Sequence, residues 1–590
     1  MNLSWNKSLI AWCLCLFVYP SVGAEKLEVP QNSREKINFW LPHVVSIRDP
    51  MVLDAQRIFR HLLQSWDQSR VEPALAVVKS ADGAWAASLA DGHILLSYSA
   101  LQMIKKIQPE TYKDALAFVL AHELAHQRND DLWHHRFFRT QLQNAKTVKR
   151  SNQDDFKSRR IKEIQADQEA LLLMTVSGFN PTSVIGENDF FNAWLKMTSE
   201  YQCSVNPNAE VCKFARQRAF NAKEKIHHIY RQKTWYDLGM MMIAKADYLR
   251  ARKYLTSFAR EYPHWRVYNA LAVSYLLEAI NLKHTKNEMA GDVSEIYLML
   301  SRVNLTKLKQ AERTRAGSSA RLLSKTELLN QSLHFLEKSQ FLQARNSETL
   351  YLICVNYLLQ NNLPMAQGIL EGKLIKLTGS SVENMYLRAL LDIKSGDLNS
   401  ADHKLKIAEK MSVSSKNKAL KYAILLAQIN LEKNRGNILQ SEKKLERFVD
   451  LQNSRGNSLE FQWGLNQLKV TQDSGQSKEF PELTELKKKL GEIQPSRENT
   501  LWLEGEPYTH KLSGVNQWLV DKDDNLMFSW CNIADCLPST GNVSLDRILA
   551  RFGYPDSVQH LAGLRYLAYQ NSNLVISMDQ GFARQIFSIH

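Results

Sequence analysis

The sequence predicts a mainly α chain: an α+β unit carrying a metal-binding motif, then an α-helical repeat solenoid, then a small C-terminal α+β module. Three observations predict this. Short strand patterns between residues 74 and 98 precede helix-periodic segments, one of which contains His122-Glu123-Leu124-Ala125-His126. From Thr234 onward small and bulky residues recur at repeat spacing, almost without proline. From Leu564 onward strand patterns return, separated by Asn571-Ser572-Asn573 and Asp579-Gln580-Gly581. At 590 residues the chain is too long for one core. The expected divisions are 1–24, 25–232, 233–490 and 500–590.

Residues 1–24 read as a removed export signal. Lys7 supplies the positive end, Leu9 to Tyr19 the apolar run, and Val22-Gly23-Ala24 the small residues at the cut. The rival is an N-terminal anchor, but the run falls short of the about 20 residues that span a bilayer. No other long apolar run occurs, so no transmembrane segment is expected after signal removal. In an exported chain the close pairs Cys203–Cys212 and Cys531–Cys536 are expected as disulfides, with zinc binding the weaker reading. Cys354, at a small-residue position of a helix, reads as a buried inert thiol. The net charge of +14 is spread among acids along helices, so it reads as solvated helix faces and assigns no nucleic-acid role.

In the first unit, Val52 to Trp66 reads as a helix, and Ala74 to Val78 and Ala84 to Leu89 as strands. The run His93 to Tyr98 is either an edge strand, offering Ile94, Leu95 and Leu96 to an extended peptide, or an ordinary strand within a sheet. Next comes the motif helix. Positions i and i+4 lie about 40° apart around a helix, so His122 and His126 leave one face and can share a metal ion. Ala115, Phe118 and Val119 continue that face as apolar, where two histidines are costly unless bonded or metal-bound. Glu123 is placed to take a proton from water at an open coordination position, which is zinc peptidase chemistry.

Two histidines leave a catalytic zinc ion one protein ligand short. The helix expected over 159–175 places Glu163 and Asp167 on one small, apolar stripe with Ala166 and Ala170. Glu163 is the expected third ligand, and Asp167 the residue that bonds a ligating imidazole from behind. Without the upstream motif, Glu163 would read as a solvated side chain.

His122-Glu-Leu-Ala-His126, Glu163-Ile-Gln-Ala-Asp167 and Ser177-Gly-Phe-Asn-Pro181, preceded by Gly83-Ala-Trp-Ala86 and Gly92-His-Ile-Leu95, resemble the HtpX and CAAX-prenyl-protease superfamily of zinc metallopeptidases. The resemblance covers roughly residues 50 to 190. With repeats behind it, the layout is closest to that family's soluble periplasmic branch, the β-barrel assembly-enhancing type. The resemblance implies a zincin-like fold, one Zn2+ per chain held by His122, His126 and Glu163, and Glu123 as general base. Many relatives carry a gating His-Pro segment beyond the Glu helix. This chain has His227 and His228 in roughly that place, without the proline, as candidate gate residues.

Trp235, Leu238, Gly239, Met242, Ala251, Leu255 and Pro263 fall where a tetratricopeptide repeat of about 34 residues places its Trp, Leu, Gly, Tyr, Ala, Phe and Pro. The register recurs from Leu350 to Leu370 and from Met385 to Ala408, with a weaker copy from Leu425 to Phe448. Such an array is either a groove for extended segments of other proteins or a scaffold packed on the first unit. In the tail, a helix is expected over 543–552, with strands over 564–569, 574–578 and 586–589. It is faintly similar to modules of outer-membrane assembly proteins.

The expectation is therefore an exported, periplasmic zinc endopeptidase. Its expected targets are unfolded or misassembled envelope proteins, with outer-membrane assembly machinery a candidate partner. The rival is a chaperone or scaffold that acts through its repeats and carries a latent site.

Overall fold

The computed structural model describes residues 36–66, 71–80, 84–109, 111–129, 153–184, 190, 210–282, 323–412 and 418–444. In the C-terminal part it describes 497–503, 506–513, 516–523, 526–532, 543, 545–552, 555, 557–561, 564–569, 573–579 and 582–589. These residues are mostly helical and form two sheets. Among them, no helix is long and apolar enough to cross a membrane. The expected signal and the two expected disulfide pairings lie outside the described residues.

The chain opens with a short helix, α1 (Ile37–Trp40), and then α2 (Pro50–Leu63). Asp49 caps α2 by accepting from the amides of Met51 and Val52, and Pro50 takes the first-turn position that needs no donor. Tyr98 donates to the other oxygen of Asp49 at 2.8 Å, which ties α2 to the small sheet's far end.

That sheet contains β1 (Ala74–Val78), β2 (Ala86–Ser88) and β3 (His93–Ser97), in the order β1-β3-β2. β3 pairs parallel with β1 and antiparallel with β2. The expectation that Ile94, Leu95 and Leu96 offer a free edge is therefore corrected: they form the central strand. The physical reason is burial on both faces. Ile94 and Leu96 join the main core, whereas Leu95 packs with Trp40, Val78 and Trp85 on the other side. Three consecutive apolar residues suit a strand covered twice. The sheet ends instead at β2.

Helices α3 (Tyr98–Ile107), α4 (Tyr112–Arg128) and α5 (Gln153–Val176) complete this unit. From Ala115 to His126 every residue of α4 except His122 is buried, so α4 is a core helix rather than a surface one. Gly178, at φ +86°, ends α5 in the left-handed conformation that glycine adopts freely.

Helices then pair in sequence. They are α6 (Glu210–Ala244) with α7 (Tyr248–Glu261), α8 (Trp265–Leu282) with α9 (Lys325–Leu342), α10 (Ser347–Leu359) with α11 (Leu363–Ile369), and α13 (Val382–Ser395) with α14 (Leu398–Ser412). α11 continues through a π turn (Leu370–Leu374) into α12 (Ile375–Thr378), and α15 (Lys418–Asn434) follows α14. Asp247, Asn346, Asn362 and Ser381 cap helix starts with their side chains. α6 runs unbroken across residues 232 and 233, so the first unit and the helical array share a helix.

The C-terminal part is an eight-stranded antiparallel sheet of two four-stranded meanders. The strands are β4 (Arg497–Leu503), β5 (Glu506–Ser513), β6 (Asn516–Val520), β7 (Leu526–Asn532), β8 (Ser557–Leu561), β9 (Leu564–Tyr569), β10 (Leu574–Asp579) and β11 (Phe582–Ile589). Their order is β4-β5-β6-β7-β11-β10-β9-β8, and α16 (Leu545–Phe552) lies between the meanders in sequence. Strand alternation decides the packing. Leu574 and Ile576 pack with Ile548 and Phe552 of α16, whereas Val575 faces the main core. That main core is continuous from Val52 to Ile589. Trp235 of α6 stacks on Tyr254 and meets Tyr508 of β5 edge-on, joining helices to sheet.

Candidate metal centre

The centre is built where α4 and α5 pack together. Ala121 and Ala125 of α4, and Ala166 and Ala170 of α5, are buried and small, which lets two helices approach closely. The register is held at both ends. Asp114, in the first turn of α4, accepts from the Asn180 amide at 2.9 Å, and the Trp66 indole donates to the Leu124 carbonyl at 3.0 Å.

On this frame His122 and His126 stand one turn apart, edge to face, with Nε2 atoms 3.1 Å apart. Glu163 of α5 straddles them. Its Oε2 lies 3.6 Å from His122 Nε2 and its Oε1 lies 3.4 Å from His126 Nε2. One ligand atom from each of the three residues falls within 4.8 Å of the others. Four donors at about 2.0–2.1 Å from a zinc ion lie about 3.3 Å from one another. The three separations match that spacing, and two imidazoles with one carboxylate are a donor set that zinc accepts.

Asp167, one turn beyond Glu163, places Oδ1 3.0 Å from His122 Nδ1. A carboxylate this close favours the tautomer that carries its proton on Nδ1, which would leave the Nε2 lone pair facing His126 and Glu163. Burial alone would depress the His122 pKa, but Asp167 and Glu163 outweigh it and hold the imidazole above its ordinary value. The same negative charge that favours a proton on this imidazole favours a cation beside it.

Glu123 is buried and adjoins this trio in the chain. Ser88, the last residue of β2, puts its Oγ 2.7 Å from the Glu123 carbonyl oxygen and 3.1 Å from Glu123 Oε2. One turn on, Gln127 donates to the Leu89 carbonyl at 2.7 Å. Two side-chain bonds thus clamp the end of β2 along α4.

The structure brings together His122, Glu123, His126, Glu163 and Asp167. His228 Nδ1 lies 2.7 Å from the Tyr262 hydroxyl at the end of α7. Burial, with Lys225 and Arg231 nearby, lowers its pKa. The His227 side chain lies outside the described residues. Cys354 is buried, and its thiol is pushed up to about 12, as expected of an inert thiol. Sequence reasoning missed Ser88 and Trp66. Neither carries a local signal, because they act across 35 and 58 positions of chain.

No protein-family model matches the chain, and no curated protein matches it.

Proposed function

We propose that the protein is an exported zinc endopeptidase that hydrolyses peptide bonds of unfolded or misassembled envelope proteins. The observation that carries the reading is the convergence of His122, His126 and Glu163 at zinc-ligand spacing, with Glu123 adjoining. The motif resemblance to the HtpX and CAAX-prenyl-protease superfamily supports it, and with it a zincin-like fold for the first unit. Successive antiparallel helix pairs, with Gly239 and Ala251 at a close crossing, support the tetratricopeptide reading of the array.

Zinc held by His122, His126 and Glu163 would supply Lewis acidity, polarising a carbonyl and making water a stronger acid. The chain's own residues do the rest. Asp167 holds His122 in the tautomer that offers Nε2. Glu123 takes one proton from the attacking water and returns it to the leaving nitrogen, so an amide and water become an acid and an amine. The outer side of β2, which among the described residues pairs only with β3, is the place for an extended substrate strand to add by backbone pairing.

The test compares the full mature chain with Glu123→Gln for zinc content and for cleavage of an unfolded protein. The reading expects one zinc ion per chain in both and cleavage only in the first. If neither holds zinc and the two behave alike, the peptidase reading falls and a scaffold acting through the array replaces it.

A further inference from the structure

We propose that Ser88 is a positioning residue for Glu123, an inference that rests on the peptidase reading above. Ser88 is buried at the end of the edge strand, where its single hydroxyl meets two oxygens of the same residue, the Glu123 carbonyl at 2.7 Å and Oε2 at 3.1 Å. The first contact ties strand to helix. The hydroxyl's one proton is shared between the two, and the longer branch, at 3.1 Å, biases the direction of the carboxylate.

A glutamate side chain has three rotatable bonds, and ordering it costs conformational entropy. Even a shared hydrogen bond to a carboxylate gains strength in a buried site, where water does not dilute it. Ser88 therefore restricts where the Glu123 carboxylate can point. The neighbouring bond from Gln127 to the Leu89 carbonyl prevents β2 from drifting away, so Ser88 stays within reach. Because Ser88 contacts none of His122, His126 or Glu163 through these bonds, its removal should misdirect the base while leaving the metal-binding residues in place.

The experiment uses the full mature chain in four forms: unaltered, Ser88→Ala, Glu123→Gln and the double variant. Zinc content, kcat and KM on unfolded casein, and affinity for a peptide hydroxamate are measured for each. Ser88→Ala should keep one zinc ion per chain, lose kcat by about 10- to 100-fold, the worth of one hydrogen bond to a charged group, and keep KM within about twofold. Hydroxamate affinity should fall with Ser88→Ala but not fall further when Glu123→Gln is already present. Should Ser88→Ala fail to fold, Ser88→Cys, close in size and a weak donor, carries the same expectation.

Undiminished kcat in a folded, zinc-loaded Ser88→Ala overturns the inference, as does an equal loss of hydroxamate affinity in both backgrounds. If Glu123→Gln itself cleaves normally, the peptidase reading fails first. If Glu123→Gln is inactive and Ser88→Ala is fully active, only the role of Ser88 is lost.

Discussion

The indole nitrogen of Trp66 donates to the carbonyl of Leu124, the residue midway between His122 and His126. Trp66 is itself held from the other side, because its carbonyl accepts from Gln343 at 3.2 Å. The preceding carbonyls are treated alike: Ser65 accepts from the Trp265 indole at 3.2 Å and Gln64 from Arg266 at 3.1 Å. Three residues of the array thus satisfy carbonyls just past the end of α2, and Trp66 passes that support to α4, which carries His122 and His126.

Trp66→Phe keeps most of the buried ring and removes the donor. It should lower unfolding free energy by about 1–2 kcal/mol in a denaturant titration. Zinc affinity, measured by competition with a chelator, should weaken in the same variant. An unchanged chelator midpoint would show that the Leu124 contact does not support the site.

Asp167→Asn removes the charge behind His122 but keeps its size. A neighbour of this kind is worth about 10- to 100-fold in metal affinity, so chelator competition should show a loss in that range. Glu163→Ala, which deletes a donor, should lose zinc altogether under the same conditions. Equal retention by both variants would remove Glu163 from the ligand set.

Much of this centre was legible in the sequence. The spacing of His122, Glu123 and His126, and of Glu163 and Asp167, follows from helical period alone, and both helices are present. Strands 74–78 and 564–569 also have the expected limits. What was not legible depends on contacts distant in sequence. The position of β3 between two partners is a matter of pairing, and its apolar run is consistent with either face count. β4 to β7 were missed although turn residues separate them, Gly505 before β5, Gly514 before β6 and Asp523-Asp524-Asn525 before β7. Ser88 looked like any small strand residue.

Gly239→Ala tests a close crossing of α6 and α7. A Cβ there would lie 2.5 Å from Leu255 Cγ and 3.3 Å from the Ala251 carbonyl oxygen, so α6 and α7 must separate or Leu255 must move. Overpacking of this kind costs about 1–3 kcal/mol, which a thermal melt would register as a lower midpoint. A small residue is needed there because two helices meet, not because a turn is made.

His510 sets an acid limit on the C-terminal sheet. Burial lowers its pKa from 6.5 to about 4, while its Nε2 lies 3.0 Å from Gln517 Oε1. Above pH 6.5 it is neutral folded or unfolded and contributes no pH dependence. As the pH falls from 6.5 to 4, the unfolded chain takes up a proton that the folded one refuses, so stability is lost. The full loss is about 3 kcal/mol at about 1.36 kcal/mol per unit. His510→Gln should flatten stability across this window in denaturant titrations at several pH values; an unchanged slope would assign the effect to other groups.

The donors to Ser65, Gln64 and Trp66 come from residues 200, 202 and 277 positions later, respectively. During synthesis, the motif helix is therefore made long before the side chains that brace it. A nascent chain that ends short of Trp265 contains His122, His126 and Glu163 but none of these three braces. The bracing of α4 is thus completed only after the array has been built, and on the peptidase reading that would tie cleavage to completion of the part proposed to select substrate.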